Sequence, residues 1–250
     1  MEEVKNLDIS MIIPTHQEEE YIKETLVHLA RAKSAATSKG IESEILVVDS
    51  GHDKTLKLAR PITDKVFKFR ERGVSKARNF GASKASGDIL LFIDADVIAP
   101  VDLLEEVVRT FKDKAIVAAI SRVRPRRFRS HSLSASKRLF YLLDDIFVKN
   151  CVKRKLFLRF YNRGDVLAVH RDTFFKTGGF NEKLATMEIT ELILKLSEVG
   201  RIALLNTTVY ESVRRLKQWG VLKSYLVWWR NYASYCLLQR PFDSTYEIVR

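Results

Sequence analysis

Two aspartates at the end of an apolar run are the residues of this chain best suited to chemistry. Five apolar residues, Ile89 to Ile93, lead directly into Asp94 and Asp96, which are separated by one residue. An uninterrupted apolar run is typical of a strand covered on both faces in the middle of an α/β sheet. Ligands of such sheets bind beyond the carboxyl ends of the strands. Carboxylates there could hold a divalent metal or the polar groups of a ligand, whereas the same three residues in a solvated turn would carry no function.

Two earlier apolar segments end in polar clusters of the same kind. Ile9 to Ile13 is predicted to be a strand that Pro14 stops, and Ile45 to Val48 a strand that ends at Asp49. Helical spacing over residues 18–36 and 75–85 separates the strands, which favours βαβ units with a parallel sheet. Because parallel strands end at one edge, the clusters 14–18, 49–53 and 94–96 are expected to lie together.

Composition and cysteine usage restrict the class of protein. The chain has 250 residues, of which 46% are apolar and 30% charged, so we expect a folded α/β domain and not a disordered chain. Two cysteines predict no disulfide framework. Residues 1–8 are polar and acidic, so we expect no signal peptide. No uncharged apolar span reaches 18 residues, so we expect no transmembrane helix. These observations predict a cytoplasmic protein.

The positive charge is concentrated in one segment. Residues 122–163 contain thirteen Lys or Arg against two acidic residues, a net charge of +11, and the whole chain carries +12. This pattern favours a partner with localised negative charge. A basic loop followed by a buried helix is the plainer interpretation. Nucleic-acid binding is a competing one, because aromatic residues at 157, 160 and 161 interleave with the cations.

The ordered motifs resemble those of the family 2 glycosyltransferases of the GT-A fold. The resemblance lies in Ile12–Glu19, Ile45–Gly51, Arg78–Asp88, Asp94–Asp96 and Gly178–Glu182, and it covers roughly residues 8 to 220. It implies an α/β fold of the GT-A type, a Rossmann-like three-layer structure around a central mixed, mostly parallel sheet. It further implies a GT-A domain over residues 1–220 and a C-terminal helical extension over 221–250, packed on or beside that domain.

The resemblance also implies a site for a nucleotide-sugar donor, with UDP or GDP as the nucleotide, and for Mg²⁺ or Mn²⁺. Asp96 would bind the metal, which bridges the diphosphate and neutralises charge on the leaving group. The residues that would contact the nucleotide-sugar are Pro14, Thr15, Glu18, Asp49, Lys76, Arg78, Asp94 and Ala95.

The expected catalytic base is displaced. Inverting members of the family usually have a Glu-Asp pair whose Asp is the general base. Here Ile189 follows Glu188 and occupies the position of that Asp. Glu188 and Glu191 lie three apart on one face of a predicted helix, so either could deprotonate an acceptor hydroxyl. Both could equally be ordinary solvated acids. A phosphate acceptor, already ionised, would need little help from a base.

The basic segment predicts the chemistry of the acceptor. Arg forks bind phosphate bidentately, so Arg124, Arg126 and Arg127, with Gly179 on the acceptor side, are assigned to acceptor or phosphate binding. The apolar stretch 139–148 beside these cations fits an anionic membrane surface, with a lipid-linked or phosphate-bearing acceptor and a peripheral position on the inner face of the membrane.

The function predicted is metal-dependent, inverting transfer of a hexose from a UDP- or GDP-sugar. A nucleotidyltransferase is disfavoured because the segment after the first strand, residues 14–20, is acidic rather than basic and glycine-rich. A nucleic-acid-binding protein is disfavoured because its cations leave the acidic sheet edge unexplained.

Overall fold

The computed structural model describes residues 7–125, 135–154, 158, 165–212, 214–238 and 242. Eight strands form one sheet: β1 Ile9–Thr15, β2 Ser43–Asp49, β3 Lys65–Lys68, β4 Ile89–Ile93, β5 Val97–Ile98, β6 Ile116–Pro125, β7 Val166–His170 and β8 Arg201–Glu211. Their spatial order is β3-β2-β1-β4-β7-β6-β8-β5. The strand predicted from the apolar run before Asp94 is β4, with the predicted bounds.

The described helices are α1 Ile22–Thr37, α2 Thr55–Ala59, α3 Val74–Lys84, α4 Leu103–Phe111, α5 Ala135–Lys153, α6 Arg171–Lys176, α7 Glu188–Val199 and α8 Arg214–Leu238. Gly220 interrupts α8 with φ 75° and ψ 167°, a conformation that glycine adopts without a steric penalty. The kink falls at the predicted boundary between 1–220 and 221–250, and that division stays a prediction. None of the described helices has the length and apolar character needed to cross a bilayer.

The sheet is mixed and mostly parallel, as predicted. β3, β2, β1 and β4 run parallel, and β6 runs parallel to β8. β7 is antiparallel to both of its neighbours, β4 and β6, and the short β5 is antiparallel to β8. The parallel half therefore contains all three strand ends that were expected to meet.

Helices cover the sheet on both faces. Along β4, Ile89, Leu91 and Ile93 pack in one apolar cluster with residues of α1 and α4. Leu90 and Phe92 point to the other face, into a second cluster with residues of α3 and α7. Alternation between two cores explains why β4 is apolar at every position. This arrangement confirms the three-layer fold.

Pro14 does not stop β1, contrary to the prediction. β1 continues to Thr15, and Pro14 pairs in register with Val48 of β2. Pairing of β1 with β4 ends at Ile12 and Phe92. Pro14 therefore lies beyond the ladder on that side, where its missing N–H costs little.

Candidate functional site

The carboxyl ends of β1, β2 and β4 meet at one edge of the sheet, as expected. Thr15 and Asp49 are register partners on β1 and β2. The Thr15 hydroxyl donates to Asp49 Oδ1 at 2.9 Å. On the other side of β1, β4 ends at Ile93 and the chain continues directly into Asp94. The polar residues of all three clusters thus lie at one edge of the sheet.

Asp49 forms the floor of this edge. Its residue is 1% exposed, and its carboxylate also accepts from Gly51 N at 3.1 Å and from Lys68 Nζ at 3.1 Å. A Cβ on Gly51 would lie 2.5 Å from Gln17 N, so the loops after β1 and β2 touch through a position that only glycine fits. Asp49 therefore fixes the two loops against each other, and Pro14 and Thr15 are buried beside it.

Hydrogen bonds between the same two loops position Glu18. Glu18 N donates to Thr55 Oγ1 at 3.0 Å, and Glu19 N donates to Asp53 Oδ2 at 3.1 Å. Lys54 N in turn donates to Glu19 Oε2 at 3.1 Å. The backbone at Glu18 is thereby held from both sides, so its side chain projects over the edge from an ordered loop.

Arg78 joins the strand edge to α7. Its guanidinium is almost fully buried and donates to Asp94 Oδ1 at 2.8 Å and to Glu188 Oε1 at 3.0 Å. It also lies over the Phe180 ring, 5.2 Å from the centroid. Arg78 Nε is buried and has no hydrogen-bond partner among the described residues. One arginine from α3 thus bridges a carboxylate of the D-x-D pair and a candidate base.

Arg214, at the start of α8, is the second cation of the site. It binds Glu18 bidentately, with N···O distances of 2.7 and 2.8 Å, and its Nε lies 3.3 Å from Asp96 Oδ2. The guanidinium also stacks on the Tyr21 ring at 4.9 Å. Arg214 was not among the residues assigned to the site from the sequence, so this contact is known only from the structure.

Negative charge is in excess at this edge. Two arginines face five acids: Glu18, Asp94, Asp96, Asp165 and Glu188. Burial raises the pKa of Asp96 to about 7, against the attraction of Arg214 and with repulsion from its acidic neighbours adding to the effect. Burial likewise raises the pKa values of Asp94, Glu188 and Glu18. The cluster therefore lacks positive charge, and a divalent cation would supply it.

The ligand set for such a cation is incomplete in the protein alone. Within the described part of the chain, no three His, Cys, Asp or Glu side chains converge as a metal-binding group. Asp96 offers a carboxylate oxygen, and the remaining positions would be filled by water or by the oxygens of a bound diphosphate. An all-oxygen set of this kind fits Mg²⁺ or Mn²⁺.

The two candidate bases lie in different surroundings. Glu188, the first residue of α7, contacts the site through Arg78. Glu191 pairs with Lys195 at 2.8 Å and accepts weakly from Asn181 Nδ2 at 3.5 Å. Ile189 is 2% exposed and packs in the second apolar cluster. The position of the missing acid thus belongs to the core, and Glu188 is the acid that the structure brings to Asp94.

The other residues assigned from the sequence are less closely connected to this cluster. Lys76 pairs with Glu71 at 2.6 Å. Ala95 packs in the first apolar cluster, and its carbonyl accepts from Thr25 Oγ1 at 2.7 Å. Arg124 is exposed near the end of β6. Arg126 and Arg127 lie outside the described residues.

Gly179 sits in the turn after α6 with φ +64°, and a Cβ there would lie 2.9 Å from Asn79 Oδ1. Asn79 holds the turn by accepting from Phe180 N at 3.0 Å and donating to Phe180 O at 2.8 Å. The glycine is therefore required by the turn that places Phe180 under Arg78.

Asp165 was not predicted at all. Its carbonyl accepts from Asp94 N at 3.1 Å, just before β7 begins. Because β7 is antiparallel to β4, its amino end lies beside the carboxyl end of β4. Recognising β7 as an antiparallel neighbour of β4 would have been the signal for Asp165.

Comparison with known proteins identifies the family to which the chain belongs. The family model described as glycosyl transferase family 2 matches residues 10–180. A dolichol-phosphate mannosyltransferase of Pyrococcus furiosus is 30% identical over 122 residues, which make up 46% of this chain and 33% of that protein. This chain therefore spans about a third of the length of that relative.

Solved structures share the fold. The mannosyltransferase PcManGT from Pyrobaculum calidifontis, in complex with GDP-Man and Mn²⁺, superimposes with a TM-score of 0.67 at 21% identity, covering 94% of this chain and 63% of that one. Glucosyl-3-phosphoglycerate synthase from Mycobacterium tuberculosis, in complex with Mn²⁺, UDP and glucosyl-3-phosphoglycerate, superimposes with a TM-score of 0.61 at 19% identity, covering 92% and 79%. With a family model that matches more than half of its residues, this chain belongs to glycosyl transferase family 2, and its fold is GT-A.

Proposed function

We propose that this protein transfers a hexose from a UDP- or GDP-sugar to an acceptor, with inversion and with the help of Mg²⁺ or Mn²⁺. The observation that carries the proposal is the acidic cluster at the carboxyl ends of β1, β2 and β4, held by Arg78 and Arg214 within a family 2 frame. The structural relatives were solved with GDP-Man or UDP and with Mn²⁺, which supports the choice of donor and metal.

The donor side follows from the geometry. The buried edge formed by Pro14, Thr15 and Asp49 would receive the base and ribose, with Glu18 above it. Asp96 would hold the metal, which when bound neutralises charge on the leaving nucleoside diphosphate. Asp94 is already oriented by Arg78 at 2.8 Å, so it needs no reorganisation when the donor enters.

Inversion requires one displacement at the anomeric carbon. An acceptor oxygen forms the new bond while the bond to the diphosphate breaks, and the acceptor's proton passes to a base on the opposite side of the sugar. Glu188 is our candidate for that base. Burial raises its pKa, which makes the carboxylate a stronger base, and Arg78 holds it at 3.0 Å.

The acceptor is proposed to be lipid-linked or phosphate-bearing. The +11 segment between residues 122 and 163 supports this choice, because Arg124, Arg126 and Arg127 are arginines whose forked donors suit a phosphate. The Pyrococcus furiosus relative is named for a dolichol-phosphate acceptor, which is consistent with the same chemistry. The protein would then work at the inner face of a membrane as a peripheral protein.

A thermal-shift panel of nucleotides and nucleotide-sugars, with Mn²⁺ and with EDTA, tests the donor proposal. At a concentration of about 100 Kd a ligand stabilises the native state by about 2.7 kcal/mol, which is a rise on the order of 5–10 °C in Tm for a chain of this size. Asp96→Asn should abolish the metal-dependent part of that rise. The exposed Asp102→Asn is the matched control and should leave it intact.

Three results would contradict the proposal. If no UDP- or GDP-sugar stabilises the protein, the proposed donor is wrong. If a nucleotide-sugar stabilises it equally in EDTA and in Mn²⁺, the proposed metal dependence is wrong. Salt-sensitive binding of oligonucleotides that survives Asp96→Asn, with no nucleotide-sugar binding, would favour a nucleic-acid-binding protein instead.

A further inference from the structure

Helix α5 presents an apolar stripe to solvent. Its exposed residues recur three and four apart, as they do on one face of a helix, and they are Leu139, Leu142, Leu143, Ile146 and Phe147. Leu142 is the most exposed at 58%. On the opposite face, Val148 and Cys151 are buried in the second apolar cluster. The helix therefore has two apolar faces, and the protein core covers one of them.

After its kink at Gly220, helix α8 exposes apolar side chains and buries polar ones. The side chains that line its outer face are exposed and apolar: Leu222, Leu226, Trp229 and Leu237. Ser224 and Asn231, which lie roughly half a turn around the axis from that stripe, are buried. Their side chains donate to the carbonyls of Gly220 and Val227 at 2.8 and 3.0 Å. A surface helix in water has the opposite arrangement, with its apolar side chains inside.

The two stripes belong to neighbouring helices. α5 and α8 contact each other, and exposed cations accompany both apolar stripes. Lys153 and Arg154 follow the stripe of α5, and Lys223 and Arg230 lie beside that of α8. Trp229 packs edge-on against Tyr232 with ring centroids 5.7 Å apart, and both residue types are enriched at membrane–water interfaces. The face thus combines apolar side chains, aromatic rings and positive charge.

We propose that this face, α5 with the part of α8 after Gly220, docks in the plane of an anionic lipid bilayer. The charge decides between occupants: a second copy of the chain would bring the exposed cations of two such faces together, whereas anionic headgroups complement them. The apolar stripes enter the boundary of the acyl chains, and the cations remain at headgroup level.

Docking would also bring the acidic site to the membrane. Arg214 lies six residues before the kink, so the site is about 9 Å along the helix axis from the docked segment. This consequence rests on the proposed function, because a lipid-linked acceptor is what makes the position useful. The docking itself does not depend on it, and it is tested without donor or acceptor.

Vesicle flotation measures the docking directly. The full chain is mixed with vesicles of phosphatidylcholine alone or of equal parts phosphatidylcholine and phosphatidylglycerol, at low and high salt. We expect the chain to float with the anionic vesicles and much less with the neutral ones. Leu226→Glu with Trp229→Glu, and separately Leu142→Glu with Ile146→Glu, should weaken partitioning on the order of tenfold or more.

Val199→Glu is the matched control, because Val199 is as exposed as Leu142, at 58%, but lies at the end of α7. It should float like the wild type. Circular dichroism and nucleotide binding in solution show whether each variant keeps its fold and its donor site. Loss of flotation with nucleotide binding retained supports the docking face, and retained flotation with no nucleotide binding refutes the proposed function alone.

Two results overturn the inference. Equal flotation with neutral and anionic vesicles, or double variants that float like the wild type, would show that the face is not a docking surface for anionic lipid. Sedimentation equilibrium without lipid provides the other: a wild-type dimer that Leu226→Glu with Trp229→Glu converts to a monomer would assign the face to contacts between copies.

Discussion

Replacing Asp96 by Asn should stabilise the metal-free protein at alkaline pH. Burial among acids raises the pKa of Asp96 from its ordinary value of 3.8 to about 7. A shift of this size corresponds to roughly 4 kcal/mol of folding free energy lost once the group is ionised. Asn removes the charge but also the 3.3 Å contact with Arg214, which keeps its bidentate pair with Glu18. We therefore expect a net gain of about 2–4 kcal/mol at pH 8 in EDTA.

The sign of the pH dependence follows from proton linkage. Between pH 4 and 7 the native state holds a proton on Asp96 that the unfolded state has lost, so the contribution of Asp96 to the free energy of unfolding rises as the pH falls through this window. At pH 5 the native group is already protonated, and Asn gains nothing over it. Urea unfolding at pH 8 and pH 5, with EDTA and with Mn²⁺, measures both effects, and Asp102→Asn serves as the exposed control.

The outcomes are sharply different. A gain at pH 8 that vanishes at pH 5 supports an ionised, uncompensated carboxylate at Asp96. Mn²⁺ should stabilise the wild type at pH 8 and leave Asp96→Asn unchanged. An equal effect of the substitution at both pH values, or a loss of stability at pH 8, would refute the reasoning that Asp96 lacks positive charge.

Three further substitutions test the neighbouring groups. With an acceptor that reacts through a hydroxyl, Glu188→Gln should lower the transfer rate by about 10²–10⁴ with nucleotide binding retained, while Glu191→Gln stays near wild type. The opposite order of initial rates would assign the base to Glu191. Ile189→Asp should lower the free energy of unfolding in urea by more than about 3 kcal/mol, because it buries an unpaired carboxylate, and it should not raise the transfer rate. A stable variant with a faster transfer rate would contradict this. Arg78→Lys should cost about 2–4 kcal/mol in urea, because an ammonium cannot replace both contacts of the fork; an unchanged unfolding midpoint would oppose the bridging role.

Local pattern was sufficient for the centre of the fold. β4 has the predicted bounds, because the apolar run is continuous and Asp94 follows it directly. The meeting of β1, β2 and β4 followed from the parallel direction expected of strands that alternate with helices. The acids of the edge could be predicted because they directly follow these strands.

The second half of the site depends on contacts that local pattern does not encode. Asp165 reaches the edge because β7 runs antiparallel to β4, a reversal that the four apolar residues of β7 do not signal. Arg214 pairs with Glu18 across 196 positions of sequence. Its partner can be identified only after the end of β8 has been placed beside β5. Such long-range pairing is decided by tertiary packing, so the sequence showed a cation without its role.

The apolar residue at position 189 and the excess of acids at the edge are related through Glu188. An acid at position 189 would lie in the apolar cluster beneath α7, whereas Glu188, one position earlier, is drawn to the edge by Arg78. Moving the acid by one residue therefore leaves the core intact and keeps a carboxylate within reach of Asp94. It also places one more negative charge in a cluster that two arginines do not balance, and this increases the advantage of binding a divalent cation with the donor. If the Asp96→Asn measurements show that charge excess, we infer that Glu188 interacts electrostatically with Asp94 and Asp96 and is not a solvated helix acid.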